Sequence, residues 1–148
     1  MSEALAEWDD DENDIVIADP EDHEAAEPAP PELYYGSVDE FVRELLIKTY
    51  RRRIDGRGSG RVWSAEWWRN AEAIARLDAL WRAWENLRLD GTTGMSVWWR
   101  DHADHHMAVL MDPDGPFAGS TDSCGRGEPL PYAAPPTGLF VDERTGEA

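Results

Sequence analysis

The side chains best suited to bind a metal lie together at residues 101–106, which read Asp-His-Ala-Asp-His-His. His102 and His106 are four positions apart, and on a helix this spacing can place two imidazoles on one zinc ion. A third and a fourth ligand are not defined, because Cys124 lies beyond a flexible turn and the aspartates of the cluster face elsewhere. The glutamate of the zinc metalloprotease pattern is also missing between the histidines. We therefore interpret the cluster as a polar helix face, keep His102 and His106 as weak metal candidates, and expect no cofactor.

Two Trp-Trp-Arg triplets, at residues 67–69 and 98–100, are candidates for binding a partner. Neighbouring residues on a helix point about 100° apart, so both tryptophans of a pair cannot lie at the centre of one narrow apolar stripe. One tryptophan of each pair is therefore expected at a groove margin or facing outward. Tryptophan and arginine are enriched at binding hot spots, although plain core packing is an equal alternative. The predicted partner-binding residues are these triplets and the turn after the third helix: Trp67, Trp68, Arg69, Trp98, Trp99, Arg100, Asp112, Gly115 and Phe117.

An arginine-rich stretch around a glycine loop offers an alternative, direct binding of nucleic acid. Its predicted contacts to phosphate are Arg51, Arg52, Arg53, Arg57 and Arg61. The competing interpretation is a solvated helix end whose cations complement the helix dipole. The glycine loop lacks the preceding strand and the following Lys-Ser/Thr of a phosphate-binding loop, and the only cysteine has no fixed histidine partner. We therefore expect no enzymatic activity.

Charge divides the chain of 148 residues unevenly. The formal net charge is −17, and residues 1–32 hold 13 acidic side chains with no lysine or arginine, so the remainder carries only −4. This acidic balance argues against a protein whose whole surface binds nucleic acid or an anionic membrane. Residues 1–32 are expected to be a disordered acidic tail that could fold back and compete with nucleic acid. Residues 33–118 form the predicted domain, and the Pro/Gly-rich residues 119–148 are expected to be extended or disordered, either free or lying across the core.

The central segment carries the patterns of three helices. Ser37 and Glu40 form a capping box that begins the first helix, which is followed by the arginines at 51–53. The second helix is predicted from an N-cap at Ser64 to Arg88, about 24 residues and roughly 36 Å long. The third is predicted from positions 93–96 to about 110, and the turn at 112–116 ends it. An all-α, antiparallel three-helix domain is the natural way to bury the apolar stripes.

These segments also resemble a known family. The stretches 34–42, 67–69, 72–73, 76–85, 94–102 and 112–117, with their paired tryptophans, are similar to the actinobacterial domain of unknown function numbered 4913. The resemblance covers about residues 34–118 and implies no activity. It does imply a setting among actinobacterial genomes, phages and conjugative elements, and hence an accessory role in a mobile element.

The sequence as a whole predicts a non-enzymatic interaction module that binds a protein partner, with nucleic-acid binding and metal binding as successive alternatives. A lone cysteine cannot form an internal disulfide, the apolar runs are too short to span a bilayer, and the N-terminus has no secretory signal. We therefore expect a cytoplasmic protein that does not engage a membrane. The oligomeric state is left open.

Overall fold

The computed structural model of the chain describes residues 29–56 and 60–146. Within these ranges it contains three helices and no strand, which confirms the all-α class. One isolated antiparallel bridge joins Ile54 to Cys124. None of the helices in the described ranges combines the length and the apolar character needed to cross a membrane. The predicted acidic tail lies almost wholly outside the described residues.

Helix α1 spans residues 38–49 and changes its winding twice. Val38–Phe41 is α-helical, Val42–Leu46 is π-helical and Ile47–Thr49 is α-helical again. The Ser37 hydroxyl accepts a hydrogen bond from the Glu40 amide at 3.1 Å, as the capping box predicts. The Glu40 carboxylate, however, accepts from the amide of Gly36 at 3.2 Å and not from that of Ser37. The arginines at 51–53 lie just beyond the end of the helix, not in its last turn.

Helix α2 spans Ala71–Leu87 and begins later than predicted. Its N-cap is Asn70, whose side-chain oxygen accepts from the Ala73 amide at 2.9 Å; Ser64 is not the cap. Before it, Trp67–Arg69 forms a single 3₁₀ turn. The reason is tertiary: the Ala65 amide donates to Asp122 at 2.8 Å and the Ala65 carbonyl accepts from Ala133 at 3.0 Å. With 17 residues, the helix is about 26 Å long instead of about 36 Å.

Helix α3 spans residues 94–110 within the predicted bounds. It consists of α-helical Gly94–Val97, π-helical Trp98–Ala103 and α-helical Asp104–Leu110. Trp98 ties it to α2, because its indole N–H donates to the Leu80 carbonyl at 3.0 Å. Gly94 lies so close to the Leu87 carbonyl that any Cβ would collide with it. The antiparallel arrangement of the three helices stays a prediction.

The C-terminal segment, residues 119–146, lies across the helices in an irregular conformation. Leu130 is buried, and its amide donates to the Ile47 carbonyl at 3.0 Å. The Tyr132 hydroxyl donates to Asp39 at 2.6 Å, and the Phe140 ring stacks on Trp67 at 5.3 Å. Of the two alternatives that the sequence left open for this segment, the structure shows the packed one. A boundary at residue 118 therefore does not separate a folded domain from a free tail.

Candidate functional site

The tryptophan pairs each divide between the core and its edge. Trp67 and Trp98 are fully buried, whereas Trp68 and Trp99 are half-buried. This is the outcome expected from the angle between helical neighbours, and it leaves one indole of each pair at the surface. The arginine that follows each pair is exposed.

Of the first triplet, Arg69 lines an open cleft of about 440 Å³. The Arg69 guanidinium lies 5.2 Å from the centre of the Trp68 ring and 2.8 Å from the Glu66 carboxylate. Across the cleft runs the chain from 116 to 122, and the Asn70 amide donates to the Pro116 carbonyl at 2.9 Å, which joins the two walls. Most lining residues are polar: Ser64, Glu66, Arg69, Asn70, Ser120, Thr121 and Asp122. The cleft is therefore suited to hydrogen-bonding groups.

The predicted turn beside α3 contributes mainly to packing. Phe117 lines the cleft but is buried, with its ring 5.2 Å from that of Trp63. At Gly115 a side chain would meet the carbonyl of Val109, so this residue permits a tight turn. Asp112 is exposed, and its carboxylate accepts from the Asp114 amide at 2.8 Å. Among these residues, only Asp112 presents a side chain to solvent.

The second triplet joins a different surface. The Trp99 ring stacks on Tyr50, with centres 5.9 Å apart and planes 17° apart. The Arg52 guanidinium lies 4.2 Å from the centre of the same Tyr50 ring. Burial and the neighbouring Asp104 raise the pKa of Tyr50, whose hydroxyl donates to that carboxylate at 3.3 Å. Trp99 is thus connected to the arginine-rich stretch and not to the cleft.

The histidine cluster lies on α3 beside a cation. His106 Nδ1 is 3.1 Å from the Arg76 guanidinium, and burial followed by the charge of Arg76 lowers the pKa of His106. A metal ion at this nitrogen would have to displace the guanidinium. The part of the chain that the structure describes gathers no group of three or more potential metal ligands. His102, half-buried one turn earlier, thus lacks a built ligand set around it.

Sequence reasoning missed a buried carboxylate near the start of the folded unit. Glu85 is buried on α2 and accepts from the amides of Tyr34 at 2.7 Å and Tyr35 at 3.0 Å. Its carboxylate also accepts from the Trp81 indole at 3.1 Å and from Arg88 at 3.1 Å. The signal was present, because Glu85 lies one helical turn after a tryptophan on the apolar stripe. This carboxylate fixes where the chain enters the domain.

Comparison with known families gives a match over most of this fold. The family described as Domain of unknown function (DUF4913) matches residues 35–137, which include all three helices and much of the C-terminal segment. The chain belongs to this family. No curated protein and no solved structure matches the chain.

Proposed function

We propose that this chain is a non-enzymatic interaction module that binds a protein partner at the cleft beside Trp68 and Arg69. The observation that carries the proposal is the convergence of two separately predicted pieces, Arg69 and Phe117, on the same cleft. The buried residues Trp67 and Phe117 position the walls, while the exposed Arg69 is available for contact.

The chemistry of the cleft favours a protein segment as its occupant. The exposed Arg69 guanidinium in the cleft and the half-buried Trp68 indole 5.2 Å from it are the residue types that dominate protein-binding energy. The hydroxyl and carboxylate groups around them resemble the polar rim of a transient interface. A volume of about 440 Å³ accommodates a few side chains of the partner, so we expect a short inserted segment. An accessory role in a mobile element is part of the proposal and rests on the family resemblance alone, whereas a cytoplasmic location is proposed from the lone cysteine and the short apolar runs.

Site-specific photo-crosslinking in the native host tests this proposal. A photoreactive residue at Thr121, in the cleft, should give one discrete crosslinked product, whereas the same residue at Ala79, exposed on α2, should not. Adding Arg69→Glu to the Thr121 probe should lower the yield about tenfold, because a hot-spot arginine contributes at least about 1.4 kcal/mol. Equal products from both positions, or none from Thr121, would contradict the proposal.

A further inference from the structure

The cations of this protein divide into two groups by their ion pairs. Eight of the 13 lysines and arginines in the described ranges lie within 3.8 Å of a carboxylate. They are Arg43, Lys48, Arg69, Arg76, Arg82, Arg88, Arg100 and Arg144. The five others have no ion pair within those ranges: Arg51, Arg52, Arg53, Arg61 and Arg126. In a chain with 31 acidic residues, five arginines that form no ion pair in the described ranges need an explanation.

The five arginines without an ion pair in the described ranges, here called the arginine surface, lie on two stretches that the structure joins, one around Ile54 and one after Cys124. Arg53 and Arg61 line one cavity of about 260 Å³, together with Asp55, which has an interaction of its own. The Arg51 guanidinium donates to the carbonyl of Gly127, the residue after Arg126, at 2.9 Å. The bridge between residues 54 and 124 holds the two stretches together, with hydrogen bonds of 3.0 and 3.1 Å.

Part of the arginine surface is held in place before any ligand binds. Arg51 also donates to the Lys48 carbonyl at 2.7 Å, and Arg52 lies over the Tyr50 ring. Three further guanidinium groups, those of Arg53, Arg61 and Arg126, are exposed. Trp99 is half-buried and stacks on Tyr50, the ring over which Arg52 lies. The surface therefore combines fixed and free cations with a nearby aromatic ring.

We propose that the arginine surface binds the phosphate backbone of nucleic acid. The planar fork of a guanidinium matches phosphate oxygens, and these arginines have no carboxylate partner in the described ranges; the exposed Arg53, Arg61 and Arg126 leave the most donors available. The overall charge of −17 does not prevent this, because exposed charges more than about 8 Å apart are largely screened at physiological salt. This surface is distinct from the cleft and rests on a different observation, so it stands independently of the protein-binding proposal.

Fluorescence anisotropy of the full chain with labelled duplex and single-stranded DNA tests the proposal. Five phosphate contacts on a duplex predict a slope of about −4.5 in log K against log salt, hence roughly a hundredfold loss between about 50 and 150 mM. The double variant R53E/R61E should weaken binding at least tenfold and reduce that slope by about 2. The relative affinity for the two DNA forms shows whether Trp99 adds stacking, which strengthens single-strand binding.

The matched control is R82E/R144E, which makes the same change in net charge at two exposed arginines outside both the arginine surface and the cleft. It should leave DNA affinity within about twofold, because both guanidinium groups are already paired with carboxylates. A full-length variant with the 13 acids of residues 1–32 changed to amides reports competition from that segment. Equal weakening by both double variants would overturn the proposal, and so would absence of binding by both the native chain and the amide variant at about 25 mM salt.

Discussion

Three buried tryptophans offer an internal comparison of hydrogen bonding at constant size. Trp63, Trp67 and Trp98 are all fully buried. The Trp63 indole donates to the Pro131 carbonyl at 3.0 Å, and that of Trp98 donates to the Leu80 carbonyl at 3.0 Å. The Trp67 indole N–H is buried and has no hydrogen-bond partner in the described structure. Replacing each tryptophan by phenylalanine removes the same atoms from the core. For Trp63 and Trp98 it also removes a hydrogen bond, whereas for Trp67 it removes an N–H group that has no partner in the described structure.

The loss of packed volume should cost each variant about 1–3 kcal/mol, because indole to phenyl is a moderate large-to-small change in a core. Trp63→Phe also leaves a carbonyl without its donor, which adds about 1–2 kcal/mol. Trp98→Phe adds about 1 kcal/mol, since the Leu80 carbonyl lies inside α2 and can keep an intrahelical partner. Trp67→Phe removes an unsatisfied buried N–H and so recovers about 1–2 kcal/mol. We therefore expect Trp67→Phe to be the least destabilising of the three, by about 2 kcal/mol or more.

Urea unfolding followed by circular dichroism measures these differences without relying on tryptophan emission. At constant slope m, the midpoints should rank the native chain and Trp67→Phe above Trp98→Phe and Trp63→Phe. A gap of about 2 kcal/mol corresponds to roughly 6–12 °C in Tm for a domain of this size. If Trp67→Phe unfolds as easily as either of the others, the unpartnered N–H does not carry the cost that we assign to it.

Three further predictions concern the cap, the C-terminal segment and the histidine cluster. Asn70→Ala should destabilise the chain by about 1 kcal/mol in urea unfolding and Ser64→Ala by clearly less, because Asn70 is the observed cap. A larger loss of stability in Ser64→Ala would instead support the longer helix that the sequence predicted. Burial and the hydrogen bond to Asp39 raise the pKa of Tyr132 to about 12, so its contribution is complete below pH 10 and is lost as the pH rises toward 12. Tyr132→Phe should therefore flatten the alkaline fall in Tm and cost about 1–3 kcal/mol at neutral pH, and an unchanged alkaline profile would contradict this. The lowered pKa of His106 means that its neutral form is favoured in the fold, so stability is complete above pH 6.5 and falls as the pH decreases below it. His106→Gln should reduce that acid loss of Tm, and a steeper loss would refute the assignment.

The helical elements could be predicted wherever local chemistry decides them. The Ser37 cap and the bounds of α3 follow from capping, periodicity and turn residues, all of which act within a few positions. The start of α2 could not be predicted, because Ala65 is held by Asp122 and Ala133, residues far along the chain. The two π-helical segments could not be predicted either, because the 3.6-residue period assumes regular α-helical winding, and each wider turn shifts the side chains that follow it around the helix.

The sequence could predict which residue types form the candidate surfaces, but not which individual residues lie together on each surface. The angle between neighbours correctly divided each tryptophan pair, yet only the structure shows that Trp68 lies beside Arg69 and that Trp99 stacks on Tyr50, the ring that Arg52 also contacts. Likewise, the basic character of residues 51–61 is evident from the sequence, whereas only the structure connects them to the stretch that contains Arg126, through the hydrogen bond from Arg51 to Gly127 and the bridge between Ile54 and Cys124. Which arginines lack carboxylate partners depends on tertiary placement, and a sequence records charge but not pairing.

The C-terminal segment completes both surfaces, which changes how this family should be dissected. Residues 116–122 form one wall of the cleft, and the Ala133 carbonyl accepts the Trp68 indole N–H at 3.1 Å. The Gly127 carbonyl in turn holds Arg51 at the arginine surface. Truncation after residue 118 would remove Leu130 and Phe140 and expose the core side chains that they cover, such as Trp67. It would also disrupt both candidate sites at once. Loss of binding in such a truncation would carry no information about either surface, so the point variants in the full chain are the decisive experiments.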